Sequence, residues 1–316
     1  MGPFGPAHLF SHRCNRVVTI ANVRTEIAIT TAKSFHDTND INHDTYLVNV
    51  GFVPSTSEQI YTKHVVSIRN TKIQHTFGEN HVCGGSILAP GLILTAAYCL
   101  FIPGHGPMDP ADIEVVAGTP NRLRRVQTTQ SIKADELILH PRYASEHCDI
   151  ALIKLTNDLK LDNYSASAIA LPKHSPLEGE QCFLLGWGHF YENGPMADEI
   201  LYSVIGVLTY ETCKKKLLIT EGNICAFDYS HVLKGACKGD SGGPLICHGA
   251  VSGIVESKMD CDFGVPNVLT NVYYFLEWIE ANGGKMIYFH YLLLLFFYPL
   301  NLFIIIGFEN INFNIV

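Results

Sequence analysis

From residue 50 to residue 269 the chain alternates short apolar runs with clusters of Gly, Pro, Asn and Asp. His64-Val65-Val66-Ser67-Ile68 and Ile150-Ala151-Leu152-Ile153 are typical, short and rich in β-branched side chains, with turn formers on either side. Runs of this length and composition predict strands, and their close spacing predicts an all-β sandwich or barrel. The pattern changes near the end. Val272, Phe275, Leu276 and Ile279 recur at helical spacing and Asn282-Gly283-Gly284 supplies a stop, so one amphipathic helix is expected to close the domain.

Beyond that helix, residues 286–306 form a run of 21 positions interrupted only by His290, Pro299 and Asn301, long enough to span a bilayer. Three readings are open: a transmembrane anchor, a lipid-anchor signal, or translated non-coding sequence appended by a faulty gene model. The lipid anchor fits least, because it wants a polar spacer of about 8 to 12 residues before the apolar tail. Here Asn282-Gly283-Gly284 is followed almost at once by Met286. The terminal Phe308-Glu309-Asn310-Ile311-Asn312-Phe313-Asn314 carries the bias of translated AT-rich DNA. No helical or solenoid repeat is visible. The expected organisation is an N-terminal segment over residues 1–49, one domain over 50–284 and a hydrophobic tail over 285–316.

Composition narrows the function classes. The chain has 316 residues, 47% of them apolar, and a formal net charge of −8, which is globular rather than disordered arithmetic. Nucleic-acid binding is not expected, since neutralising phosphates takes clustered Lys and Arg. The one cluster that stands out, Lys214-Lys215-Lys216, reads as a solvated face. Ten cysteines occur and none shows the C-x-x-C spacing of a structural zinc site. No metal or cofactor is expected, and an oxidising compartment is. Residues 1–30 contain Pro3, Pro6, Arg13, Arg16 and Arg24 and no uninterrupted apolar stretch of about 7 to 15 residues, so no signal peptide is recognised. Either the domain stays in the cytosol with free thiols or a secretory start is missing, and the second is preferred. The expected location is extracellular, or membrane-tethered if the tail is real. Asn163-Tyr164-Ser165 on a polar loop is a glycosylation acceptor triplet in keeping with secretion.

Three segments carry chemistry in a fixed order: Leu94-Thr95-Ala96-Ala97-Tyr98-Cys99, Asp149-Ile150-Ala151-Leu152 and Gly239-Asp240-Ser241-Gly242-Gly243-Pro244-Leu245. Together with Cys83-Gly84-Gly85-Ser86, Gly186-Trp187-Gly188 and Glu277-Trp278-Ile279, they resemble the catalytic and framework blocks of the trypsin-like serine proteases over residues 50–284. The resemblance implies two packed antiparallel six-stranded β-barrels with a C-terminal α-helix and an active site in the cleft between them. It also implies the disulfides Cys83–Cys99, Cys182–Cys247, Cys213–Cys225 and Cys237–Cys261. Cys14 and Cys148 are left over; a bridge between them and a buried free thiol at Cys148 are both open, the free thiol being the plainer reading.

The same resemblance exposes departures. Its mechanism needs a serine nucleophile, a histidine base and a buried aspartate that orients the histidine. Ser241 and Asp149 occupy two of those places, but Tyr98 stands in the third. A phenol, with an ordinary pKa near ~10, keeps its proton at neutral pH and cannot take the serine proton. Loss of the base costs on the order of 10⁶ in turnover. His147 reads as a surface loop residue rather than a substitute. Activation in such proteases frees an amino terminus to pair with the aspartate before the serine, here Asp240. The junction falls near residues 49–51, yet no Lys or Arg occurs in residues 34–62. Without that ammonium the oxyanion donors, Gly239 and Ser241, are expected to be poorly organised.

The specificity pocket also departs. Gly235 replaces the aspartate of trypsins, Lys258 replaces a mouth glycine in Glu256-Ser257-Lys258, and Asn267 replaces a second pocket glycine. Glu256 brings a carboxylate towards Asp149, which should raise one pKa or push the pair apart. The sequence reads as a non-catalytic serine protease homologue that binds a protein or peptide, as a cofactor or decoy in a proteolytic cascade. The alternative is an active serine endopeptidase of non-tryptic specificity. A purely structural surface antigen rests on the apolar tail alone.

Overall fold

The structure, a computed structural model, describes residues 59–72, 76–146, 148–227, 235–256, 261 and 265–284. Both terminal segments, and with them the readings of the start and of the apolar tail, lie outside the described residues.

Two closed six-stranded antiparallel barrels account for the strands predicted from the apolar runs. The first is built from β1 (Val65–Asn70), β2 (His81–Ala89), β3 (Leu92–Thr95), β4 (Ile113–Ala117), β5 (Gln130–Leu139) and β6 (Ala151–Leu155), closed in the order β1-β2-β3-β6-β5-β4. The second uses β7 (Gln181–Gly186), β8 (Leu201–Leu208), β9 (Asn223–Phe227), β10 (Pro244–Cys247), β11 (Ala250–Val255) and β12 (Asn267–Asn271), closed in the order β8-β9-β12-β11-β10-β7. Closure removes the unpaired edges that would otherwise invite aggregation.

Burial follows the pleat. Along β8 the inward residues Ser203, Ile205 and Val207 alternate with half-exposed ones, whereas nearly all of β2 is buried, because one face fills the barrel and the other meets its neighbour. Ile68, Ile87, Ile93, Leu94 and Ile153 fill the first barrel, and Leu184, Ile205, Val207, Leu245 and Leu269 the second. The predicted closing helix runs over Leu276–Gly283, preceded by a 3-10 turn at Tyr273–Phe275, and buries Phe275 and Ile279. Gly284 ends it with φ of +57°, the left-handed region glycine enters without penalty.

All four disulfides implied by the resemblance are present: Cys83–Cys99, Cys182–Cys247, Cys213–Cys225 and Cys237–Cys261. The free-thiol reading of Cys148 is overturned. This buried residue is itself disulfide-bonded. Among the described residues no helix is long and apolar enough to cross a membrane.

Candidate active site

The barrels meet at glycine backbone. A Cβ on Gly84 would lie 2.8 Å from the Gly243 Cα, and the Gly84 N–H donates to the Ser241 carbonyl at 2.8 Å. Gly242, at φ +79°, turns the chain so tightly against the Thr95 hydroxyl that a side chain there would collide with it. These contacts seat the turn carrying Ser241, from the second barrel, on the Cys83-Gly84 edge of the first.

Tyr98 lies in a 3-10 turn, Ala97–Leu100, that leaves β3 at Thr95. Its backbone N–H donates to Asp149 Oδ1 at 2.8 Å, so positions 98 and 149 are brought together. Asp149 is buried just before β6, and its carbonyl accepts a 2.9 Å bond from Thr270 Oγ1 of β12. Ser241, also buried, reaches the same seam from the other barrel. Tyr98 and Asp149 are thus neighbours in the first barrel, with a half-buried phenol at position 98, and the turn carrying Ser241 is seated on the same barrel through Gly84.

Glu256 receives Asn223 Nδ2, and Thr270 Oγ1 lies 3.2 Å from the same carboxylate oxygen. The Thr270 hydroxyl thus lies between the Asp149 carbonyl and the Glu256 carboxylate. Tyr143, a residue the sequence reading missed, stands among them. Its phenol is pushed well above the ordinary range, first by burial and then by the charges of Asp149, Tyr98 and Glu256. Its ring packs edge-on to Phe101 at 5.3 Å.

Asp240 points inward, accepting from Gly188 N at 2.8 Å and from Cys237 N at 3.0 Å. Gly186 and Gly188 are required here because a Cβ on either would strike its carboxylate. Burial pushes Asp240 up to about 6 even though both N–H groups favour the ionised form. Beside it, Gly186, Gly188, His189, Tyr202 and Gly235 line a cavity of about 30 Å³. Gly239, at φ +99°, has its carbonyl fixed by His81 Nε2 at 3.0 Å, while His81 Nδ1 meets Ser67 Oγ at 2.8 Å. His81 was not anticipated either; its only sequence signal is its place two residues before Cys83.

In the pocket region, Asn267 is buried and its Oδ1 accepts from Ala236 N at 2.8 Å while Nδ2 donates to Ala226 O at 3.3 Å. A Cβ on Gly235 would sit 3.1 Å from that Oδ1, so the amide occupies space next to the pocket floor. Lys258 and His147 fall outside the described residues.

The fold and this seam define a serine-protease-type scaffold. The trypsin family profile matches residues 53–279, and the chain belongs to that family. It is 35% identical over 206 residues to chymotrypsin-2 of Vespa crabro, covering 64% of this chain and 89% of the relative. It is 35% identical over 212 residues to duodenase-1 of Bos taurus, covering 65% and 80%. Trypsin eta of Drosophila melanogaster is 33% identical over 226 residues, covering 69% and 83%.

Proposed function

We propose that this chain is a non-catalytic, extracellular member of its family that binds a protein or peptide segment in its cleft, as a cofactor or decoy in a proteolytic cascade. The observation that carries this reading is Tyr98, bonded through its backbone to Asp149 at the place of the proton acceptor. A phenol there supplies no neutral-pH base for Ser241. The Asn267 amide beside Gly235 adds to the case, since a side chain entering the pocket would have to displace a buried, doubly bonded group. The proposed domain spans residues 50–284.

The direct test is intact mass after exposure to a fluorophosphonate. An unmodified protein supports the reading, and one adduct on Ser241 overturns it in favour of an active endopeptidase. The extracellular assignment has its own test. Asn163 is exposed at φ +60° on a turn held by Asp162, which accepts from the Tyr164 and Ser165 N–H groups at 2.9 and 2.7 Å. Protein made through a eukaryotic secretory pathway is expected to lose mass on enzymatic deglycosylation, and Asn163→Gln to abolish that loss.

A further inference from the structure

The second barrel carries a cavity that no stretch of sequence displays. Residues 175–178, the end of β8, the start of the short helix Tyr210–Lys214 and residues 219–225 enclose about 390 Å³. That volume falls in the ~300–1,000 Å³ range of small-molecule sites. None of Tyr98, Asp149, Ser241 and Gly235 lines it. Val207 and Ile224 are buried at its base, whereas Leu177 and Tyr210 present 64% and 37% of their surface to solvent. An apolar floor and an aromatic wall are thereby left open to water, a cost that the apolar body of a ligand would relieve.

The charged groups of its lining carry one sign. Glu178 and Glu221 line the cavity, both are exposed, and among the described residues neither is paired with a cation. No Lys, Arg or His lines it among the described residues. Lys214 lies over the Tyr210 ring, its Nζ 5.4 Å from the centroid, without forming part of the wall. Two carboxylates above an apolar floor attract a cation, and the floor and ring favour one that carries a compact apolar body. A hydrated metal ion would gain nothing from Leu177, Tyr210 or Val207. Asn223, on the same wall, donates through Nδ2 to Glu256, and Thr270 joins that carboxylate to the Asp149 carbonyl, so a hydrogen-bonded chain connects the cavity to the aspartate.

We propose that this cavity binds a small arylalkylamine, its ring packed against Tyr210, Leu177 and the floor of Val207 and Ile224, and its ammonium facing Glu178 and Glu221. The ammonium supplies the charge-selective part of the recognition and the ring the larger buried area. Ligands of this size, about a dozen non-hydrogen atoms, reach dissociation constants near ~0.1 mM when well buried. The proposal rests neither on peptide capture in the cleft nor on whether Ser241 reacts.

The test is isothermal titration of the full chain with tryptamine, in parallel with tryptophol, which keeps the indole and lacks the ammonium, and with ethylammonium, which lacks the indole. Saturable binding of tryptamine alone is expected, weakened about tenfold or more by the double variant Glu178→Gln, Glu221→Gln. Both residues are exposed, so the variant should melt like the parent. No saturation with tryptamine would overturn the proposal. Equal affinity for tryptophol would remove the two carboxylates from the recognition, and equal affinity for ethylammonium would reduce the site to charge alone; either result overturns it. Unchanged tryptamine affinity in the double variant would place the amine elsewhere, such as the cleft beside Asp149, and overturn it too.

Discussion

The variant Tyr98→His is expected to phosphonylate at Ser241 at least ~10³-fold faster than the unsubstituted protein, whose serine should stay intact over the same exposure. Asp149 is buried, its carboxylate accepts from the backbone N–H of residue 98 and its own carbonyl accepts from Thr270, so an imidazole introduced at 98 would meet a positioned carboxylate. Ser241 is buried at the seam, its carbonyl held by Gly84. Peptide hydrolysis should lag far behind phosphonylation, because the probe needs little of the pocket in which the Asn267 amide lies beside Gly235. Mass spectrometry of the two proteins over time, with turnover of a peptide library in parallel, separates these outcomes. Equal labelling of both proteins would reveal another base. An inert, well-folded Tyr98→His would move the defect to the Gly239–Ser241 turn.

The fold was legible because its signals are local. Strand runs, the closing helix and the glycine-flanked motifs all lie within windows of a few residues, and the trypsin-like blocks fixed their order. The candidate site positions Tyr98, Asp149 and Ser241 stand in the same local blocks. What stayed hidden depends on contacts across the chain. Tyr143 matters only because the fold turns it towards Asp149 and Glu256, and no spacing announces that. His81 acts on Gly239, 158 residues away. Arg69 likewise reaches the Arg122 carbonyl across 53 positions, a contact that no stretch of sequence displays, whereas Lys214-Lys215-Lys216 is contiguous. Cys148 was misread as a free thiol because sequence spacing does not define pairing for a cysteine outside the family set.

Acid is expected to destabilise the domain through two buried histidines. Burial pushes His81 down to about 4, with Arg122 and Arg69 adding to the effect, and pushes His140 down to about 4 with help from Arg142. Unfolded, each would titrate near 6.5. Between those values the unfolded chain binds protons that the native protein does not, so stability is full above about pH 6.5 and is lost as pH falls towards 4. Each histidine accounts for about 3 kcal/mol of that loss. Asp240 works in the opposite direction. Its native value, about 6, lies above the ordinary 3.8, so it favours the fold at low pH and loses that contribution as pH rises through 6, roughly 3 kcal/mol in all. Together these three groups lower stability by about 3 kcal/mol from neutral pH to about pH 4, and His64, which burial also holds below its ordinary value, acts in the same direction as the other two histidines. His140 can be tested cleanly, because its ring packs against Phe275 and Trp278 at 5.3 and 5.2 Å and a phenyl group preserves both contacts. His140→Phe gives up only the 3.3 Å bond from the Arg142 N–H. Urea unfolding with the disulfides intact, repeated across this pH range, should show the variant losing about 3 kcal/mol less than the parent on acidification. An unchanged pH dependence would mean that His140 titrates at its ordinary value in the folded protein.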